Sequence, residues 1–225
     1  MRYCHQGYLH EFTVNPILAA MSIVIRRCLV FIVAAILASL VILSCNSKGN
    51  QILLMPREGS IDLEMALIKE SGVMITMLKD AGYKVTVATE SGKPLEAKSI
   101  TLKPDLKLSD VRVADYLGII MPCMNAGIRP APPEALRIVQ QAASLGLPIA
   151  AQRGSVLILN SAGLRGERPE SSTDLEWRYG GTGVFQNGMI LTSGICPYYS
   201  WETGKPDGTV ELTEKFIELL ERSDK

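Results

Sequence analysis

Short apolar runs alternate with amphipathic segments along most of the chain after residue 50. Their length and apolar content predict buried strands at residues 51–56, 116–122 and 147–151, and apolar–polar alternation predicts a further strand at residues 83–89. Apolar residues at helical spacing predict helices at residues 62–81, 134–145 and 208–222. Because the predicted strands and helices alternate, the sequence predicts a three-layer α/β/α sandwich around a mostly parallel sheet.

Turn signals and weaker patterns complete this prediction. Asn187-Gly188 separates two apolar segments, 182–186 and 189–193, and predicts a β-hairpin. Weaker patterns predict a short strand at 98–102 and a short helix at 108–114. Ligands in such folds bind beyond the carboxyl ends of the strands. Four of these ends are predicted at Pro56, Pro122, Gln152 and Ser193.

The segment 147–164 is the most informative part of the domain. An apolar strand is followed by Gln152, Arg153 and Gly154, and apolar residues at helical spacing continue to Gly163. Strand, tight turn and helix form the geometry of a nucleophile elbow, which raises one side chain above the ends of a parallel sheet. The pattern predicts that this side chain is Gln152. An amide cannot attack a carbonyl, so the elbow lacks an obvious nucleophile.

An apolar segment near the N-terminus predicts membrane attachment. Arg26 and Arg27 precede an uninterrupted apolar run at residues 28–43. The tetrapeptide that ends at Cys45 resembles a bacterial lipobox, which predicts that Cys45 becomes the lipidated first residue of the mature protein. An uncleaved membrane anchor is the alternative, because the length of the run does not decide between them. Both alternatives place the domain on the extracytoplasmic face of the cell membrane, since the arginines should stay inside.

These features divide the chain into four parts. Met21 is a second plausible start of translation. The predicted parts are residues 1–20 as a misassigned start, 21–45 as a lipoprotein signal peptide or membrane anchor, 46–50 as a tether, and 51–225 as the folded domain.

Charge and histidine content exclude several classes of function for the domain. The chain has 23 basic and 23 acidic residues, so its balanced charge gives no electrostatic argument for nucleic-acid binding. Both histidines, His5 and His10, precede the domain. The domain therefore lacks the Ser-His and Cys-His pairs of nucleophilic catalysis, and any histidine-ligated metal site. We predict no metal and no cofactor.

Several motifs of the domain occur in the order in which a known family has them. They are Gly59-x-x-Asp62-x-Glu64, Ala-Gly-Tyr-Lys-Val at 81–85, the strand at 116–122, Pro-Ile-Ala-Ala at 148–151 with Gly154, Ala-Gly-Leu-Arg-Gly at 162–166, and the hairpin at 187–193 with Pro197. With these motifs, residues 51–221 resemble the DJ-1/PfpI family of class I glutamine-amidotransferase-like proteins. The resemblance implies a flavodoxin-like α/β/α fold. It also implies a homo-oligomer, because family members often form dimers or hexamers.

The chain departs from the family where the family has its chemistry. Family enzymes carry Cys-His-Gly at the elbow, and the aligned residues here are Gln152, Arg153 and Gly154. The family's Pro-Gly-Gly loop corresponds to Pro122-Cys123-Met124. The resemblance implies that Glu64 is the acid of the first helix that lies beside the family's cysteine, and that it faces the pocket and hydrogen-bonds to Gln152 here.

The two cysteines of the domain leave three alternatives open. Cys123 and Cys196 are predicted in loops at the same edge of the sheet as the elbow. They form a disulfide in an oxidising compartment, or Cys123 is a relocated nucleophile whose pKa Glu64 or Arg153 tunes, or both are unpaired thiols.

Other side chains near the elbow also have two interpretations each. Gln152 contacts a ligand or only fills the space of a thiol. Arg153 neutralises Glu64 or Asp62 or holds an anionic ligand, or else it lies at a surface or interface. An aromatic group covers the pocket, makes a dimer contact or packs under long loops; its members are Trp177, Tyr179, Tyr198, Tyr199 and Trp201.

The sequence therefore supports two hypotheses for function. The first is a membrane-tethered DJ-1/PfpI-like module that binds a small molecule or a partner, without cysteine-dependent catalysis. Its predicted pocket consists of Glu64, Cys123, Gln152, Arg153 and Ser193. The second is a hydrolase, amidase, peptidase or glyoxalase of the family's type, with Cys123 as nucleophile.

Overall fold

The computed structural model describes residues 49–126, 129–165 and 173–223. The chain divides into two units, Met1–Ser47 and Lys48–Lys225, and the second contains the predicted domain. The predicted leader, its lipidation site Cys45 and most of the tether lie outside the described residues. Among the helices of the described ranges, none is both long enough and apolar enough to cross a membrane.

A seven-stranded sheet forms the centre of the domain, in the order β5-β2-β1-β6-β7-β9-β8. Its strands are β1 (Gln51–Leu54), β2 (Lys84–Thr89), β5 (Leu106–Lys107), β6 (Gly118–Met121), β7 (Ile149–Gln152), β8 (Val184–Asn187) and β9 (Ile190–Ser193). A separate antiparallel pair consists of β3 (Leu95–Glu96) and β4 (Thr101–Leu102). Neighbouring strands of the large sheet are parallel except β8 and β9, which form the hairpin around Gly188. The mostly parallel α/β sheet predicted from the sequence is confirmed.

Helices pack on both faces of the sheet. The first, α1, is continuous and has three segments, Leu63–Met65, a π-helical turn at Ala66–Ser71, and Gly72–Asp80. The others are α2 (Pro133–Ser144), α3 (Val156–Ser161), α4 (Asp174–Arg178), α5 (Pro197–Thr203) and α6 (Thr209–Ser223). All three predicted long helices are present, with ends within a few residues of the prediction.

Alternation along the central strands divides the core into two layers. On one face, Ile52 and Leu54 of β1 pack with Phe216 of α6, and α1 covers the same face. On the other face, Leu53 packs with Ile138 of α2, and α3 completes that layer. Successive residues of a strand point to opposite faces of its sheet. Apolar runs without polar alternation therefore belong to strands that are buried on both sides.

Two of the weaker secondary-structure predictions need correction. The predicted helix at 108–114 consists of two short 3-10 turns, Leu108–Asp110 and Val113–Asp115, with extended backbone between them. Both Val111 and Val113 are buried, and extended backbone lets residues two apart point to the same side. The predicted strand at 98–102 is extended only at Thr101–Leu102, which pairs with β3.

Candidate functional site

The turn after β7 places Arg153, and not Gln152, at the elbow. Arg153 has a φ of 38°, in the left-handed region that residues other than glycine rarely adopt. Gln152 is the last residue of β7, with φ −106° and ψ 129°, and it pairs in register with Ser193 of β9. The prediction that Gln152 occupies the elbow is therefore wrong by one residue, because the strand continues one residue further than the apolar run indicates.

Gln152 is fully buried and has a structural role. Its Nε2 donates to the carbonyl oxygen of Ile195, 2.8 Å away, and to the hydroxyl of Thr209, 3.0 Å away. These bonds connect β7 to the loop after β9 and to the start of α6. The predicted hydrogen bond between Gln152 and Glu64 is not formed, because Glu64 accepts hydrogen bonds from Ser99 instead. Ser193, also predicted in the pocket, is fully buried.

The guanidinium of Arg153 is held by aromatic rings and a carbonyl oxygen. It lies 3.3 Å from the ring centroid of Tyr199 and 5.1 Å from that of Tyr179. Its Nη1 donates to the carbonyl oxygen of Gly194, 3.0 Å away. Cation–π contacts of this kind stabilise a cation by about 0.5–2 kcal/mol each. Arg153 makes these contacts instead of an ion pair with Glu64 or Asp62, which was one of the alternatives for this residue. Two members of the predicted aromatic group flank the elbow.

The acid that lies beside the elbow is Glu70, and not Glu64. Glu70 is 1% exposed, and its carboxyl oxygens accept hydrogen bonds from the backbone N–H groups of Cys123, at 2.7 Å, and Met124, at 2.9 Å. Glu64 instead accepts hydrogen bonds from the backbone and hydroxyl of Ser99, which lower its pKa. The assignment of Glu64 to the pocket is therefore wrong.

The helical pattern of apolar residues predicts that Glu70 is buried. The resemblance of the motif at Glu64 to the family led to Glu64 instead. Leu67, Met74 and Leu78 mark the buried stripe of α1, and Glu70 lies on that stripe at helical spacing. An acid on an apolar stripe needs partners, because burial of an unpaired charge is costly. The π-helical turn Ala66–Ser71 contains Glu70, and such turns are frequent at functional sites. Burial, followed by the negative charge of Cys196, raises the pKa of Glu70 well above its usual value.

Cys123 and Cys196 are free and buried, so the predicted disulfide between them is not formed, and each has the largest effect on the pKa of the other. The backbone N–H of Gly154 donates to Sγ of Cys123, 3.3 Å away. The hydrogen bond to Cys196 and burial raise the pKa of Cys123 well above its usual value. The hydrogen bond from Cys123 lowers the pKa of Cys196, and the charge of Arg153 contributes to this effect. If either thiol is a nucleophile, these shifts favour Cys196 over the predicted Cys123.

A cavity of about 280 Å³ opens at the carboxyl end of β1. Its main polar residue is Arg57, which was not predicted from the sequence although it follows Pro56 at a predicted strand end. Arg57 is 8% exposed, and its guanidinium donates to the carbonyl oxygens of Gly154 at 3.0 Å, Arg129 at 2.8 Å and Pro130 at 3.2 Å. The cavity is lined by Met55, Pro56, Arg57, Glu58, Glu90, Leu108, Arg129, Pro130, Ala131, Pro132, Pro133, Ala135 and Ile158. Its lining therefore combines two guanidinium groups, two carboxylates and an apolar wall.

The remaining predicted contacts of the aromatic group differ from one another. Trp177 meets Phe185 edge to face, with ring centroids 5.7 Å apart, and Arg165 lies over the Trp177 ring. Trp201 is 71% exposed and touches Tyr198. The group is thus divided between packing around the hairpin, contact with Arg153 and an exposed position on α5.

Comparisons with known proteins agree with this architecture. No family model matches the chain. An uncharacterized protein of Archaeoglobus fulgidus is 33% identical over 97 residues, which is 42% of this chain and 58% of that protein. This chain therefore matches little more than half the length of that relative.

Solved structures match over a larger share of the chain. A ThiJ/PfpI domain protein from Brachyspira murdochii has a TM-score of 0.56 at 13% identity, over 78% of this chain and 99% of that one. Oxidized DJ-1 of Toxoplasma gondii has a TM-score of 0.56 at 21% identity, over 77% of this chain and 92% of that one. The domain therefore has the fold of the DJ-1/ThiJ/PfpI superfamily.

Proposed function

We propose that this protein is a small-molecule binding module of the DJ-1/PfpI type. It is tethered to the extracytoplasmic face of a cell membrane, and it lacks the family's cysteine chemistry at the elbow. The arginine at the elbow is the observation that carries the proposal. A guanidinium remains protonated under all ordinary conditions and is not a nucleophile. Arg153 is also engaged with Tyr199 and Gly194, so its side chain is held and not poised for reaction.

The other groups around the elbow support the same proposal. Both carboxyl oxygens of Glu70 are occupied by backbone N–H groups, which leaves this acid poorly placed to activate a nucleophile. The domain contains no histidine to serve as a base. Cys123 and Cys196 are 2% and 1% exposed, so neither sulfur lies open to a bulky substrate in this conformation.

The cavity beside the elbow supplies the binding site. A guanidinium has five N–H donors. Arg57 makes three hydrogen bonds to carbonyl oxygens of the described residues. Arg129 lines the same cavity from its rim. Two guanidinium groups suit a carboxylate or phosphate, and the apolar wall suits a short hydrocarbon part. A volume of about 280 Å³ limits the ligand to a small molecule.

Substitution of Arg129 tests this ligand class. Full-length protein in detergent should show a Tm that rises by about 5–10 °C when a suitable small carboxylate or phosphate is present at a hundred times its Kd. Arg129→Gln should abolish the shift, because Arg129 lines the cavity. The matched control Arg112→Gln should retain it, since the Arg112 side chain is 81% exposed and does not line the cavity. A panel of inorganic phosphate and small mono- and dicarboxylates that shifts neither protein would contradict the proposal.

Membrane attachment has its own test. Cys45→Ala should release the protein from the membrane fraction, or leave an unprocessed precursor there, because lipidation requires the thiol. A mature protein of unchanged mass that remains in the membrane would favour the uncleaved anchor instead. A wholly soluble wild-type protein would contradict both forms of attachment.

A thiol-dependent enzyme is the second candidate, and one observation favours it. The hydrogen bond from Cys123, with a smaller contribution from the charge of Arg153, lowers the pKa of Cys196, and a lower pKa favours the reactive thiolate form. The hydrolase, amidase, peptidase or glyoxalase predicted around Cys123 would then depend on Cys196 instead. Turnover of a glyoxal, ester or peptide substrate that Cys196→Ala abolishes would contradict the binding-module proposal.

A further inference from the structure

The lining of the cavity beside the elbow carries charges of both signs. Arg57 and Arg129 contribute two guanidinium groups, and Glu58 and Glu90 contribute two carboxylates. The formal charges of these four groups cancel. A ligand that carries only negative charge is attracted by the arginines but repelled by the two carboxylates of the same small cavity. A ligand with one charge of each sign is attracted by both pairs.

The two arginines are held in position by the chain around them. The guanidinium of Arg57 donates to three carbonyl oxygens, which leaves two of its five N–H donors. Nη1 of Arg129 donates to the carbonyl oxygen of Glu58, 2.7 Å away. Gly59 has a φ of 80°, and a Cβ atom at this position would overlap the guanidinium of Arg129. Both cations are therefore pre-organised, which lowers the entropic cost of binding.

The two carboxylates come from neighbouring loops. Oε1 of Glu58 accepts a hydrogen bond from the backbone N–H of Ser91, 2.7 Å away, which connects the loop after β1 to the loop after β2. Glu90 immediately precedes Ser91 and is exposed, so this hydrogen bond holds the loop that carries Glu90 beside Glu58 at the opening of the cavity. A carboxylate accepts several hydrogen bonds, and an ammonium group has three N–H donors that two carboxylates can share.

The apolar part of the lining suits a hydrocarbon group. Met55, Leu108, Ala135 and Ile158 line the cavity, and each of them is at most 4% exposed. Burial of apolar area on such a wall stabilises a bound hydrocarbon. A cavity volume of about 280 Å³ limits this group to a short aliphatic chain.

We infer that the ligand of this cavity is a zwitterionic α-amino acid with a short aliphatic side chain. Its carboxylate binds Arg57 and Arg129, its ammonium group binds Glu58 and Glu90, and its side chain packs on the apolar wall. The inference rests on the proposed binding role of the cavity. It narrows the ligand from any small carboxylate or phosphate to a molecule that carries both charges.

The free amino acid leucine and two analogues test the need for both charges. The analogue 4-methylpentanoate lacks the amino group of leucine, and 3-methylbutylamine lacks its carboxylate. Isothermal titration calorimetry of the full-length protein in detergent should give leucine a Kd at least about tenfold lower than either analogue, because each analogue leaves one pair of charged groups without its partner.

The outcomes separate this inference from the proposed function. If 4-methylpentanoate binds as tightly as leucine, the inference fails and the binding of small carboxylates stands. If 3-methylbutylamine binds as tightly as leucine, the carboxylate contact with the two arginines fails as well. If leucine does not bind, the inference fails, and the panel of phosphate and carboxylates decides the proposed function by itself.

Substitution of Glu90 tests the contact with the ammonium group. Glu90→Gln should raise the Kd of leucine at least about tenfold, but it should not weaken 4-methylpentanoate, because the substitution removes a repulsive charge. Glu96→Gln is the matched control and should change neither Kd, since Glu96 is an exposed acid of β3 that does not line the cavity. An unchanged Kd of leucine in Glu90→Gln, or an equal loss of both ligands, would overturn the assignment.

Discussion

Replacement of Glu70 by alanine should lower the free energy of unfolding by about 2–4 kcal/mol, because two buried N–H donors lose their acceptor. These donors belong to Cys123 and Met124, in the loop that also carries a left-handed residue, Met124, with a φ of 51°. Urea denaturation of the wild type and of Glu70→Ala measures the loss. Glu64→Ala is the matched control on the same helix and should have a much smaller effect, since Glu64 is only partly buried and its hydrogen-bond partner Ser99 is exposed.

The pH dependence of the free energy of unfolding, compared between wild type and Glu70→Gln, reports the ionisation of Glu70. Its pKa is raised in the folded protein, so its contribution to stability is fully present below its ordinary value of 4.5 and is lost as pH rises through the folded value. The stability advantage of wild type over Glu70→Gln should therefore be largest at and below pH 4.5 and should decrease as the pH rises above it. An advantage that increases with pH would mean that the two N–H bonds, and not burial, determine the pKa of Glu70.

Replacement of Arg57 by methionine should cost about 3–5 kcal/mol of unfolding free energy, the other large effect that we expect. The guanidinium holds three carbonyl oxygens, those of Gly154, Arg129 and Pro130, and hydrogen bonds from a charged group contribute about 1.5–3 kcal/mol each. Methionine preserves much of the apolar stem but donates no hydrogen bond. Thermal and urea unfolding of Arg57→Met measure the loss.

The control for this substitution is Arg112→Met. The Arg112 side chain is 81% exposed and pairs only loosely with Asp115, at 3.7 Å, so its replacement should change stability by less than about 0.5 kcal/mol. Arg57→Lys separates charge from geometry, because lysine keeps the charge but cannot reach three carbonyl oxygens from one planar group. A lysine variant as stable as wild type would show that charge alone explains the role of Arg57.

The apolar pattern was sufficient to predict the α/β architecture. The segments 51–56, 116–122 and 147–151 are buried on both faces over most of their length, so their sequence is almost entirely apolar and does not depend on exact register. The hairpin at Gly188 depends on a local turn preference, which nearby residues encode. Short elements were less well predicted. The segment 108–114 is not a helix, because extended backbone lets both Val111 and Val113 point into the core.

The site was only partly predictable. The assignment of Gln152 to the elbow and of Glu64 to the pocket were both wrong, and each error has a cause in the tertiary structure. Gln152 remains in β7 because Ser193 of the neighbouring strand pairs with it and because Ile195 and Thr209 accept its amide. The acidic motif at Glu64 was closer to the family pattern than Glu70, but only the packing of α1 determines which acid is buried.

The order of strands and helices, the hairpin and the absence of histidine from the domain were determined by the sequence alone, because each depends on residue type and local spacing. The elbow residue, the buried acid, the burial of Cys123 and Cys196 as free thiols and the role of Arg57 were decided only by the tertiary structure. Each of these depends on contacts between segments that are far apart in the sequence, as when Arg57 bonds to Gly154. Such contacts fix which polar groups are buried and paired, and burial determines their chemistry.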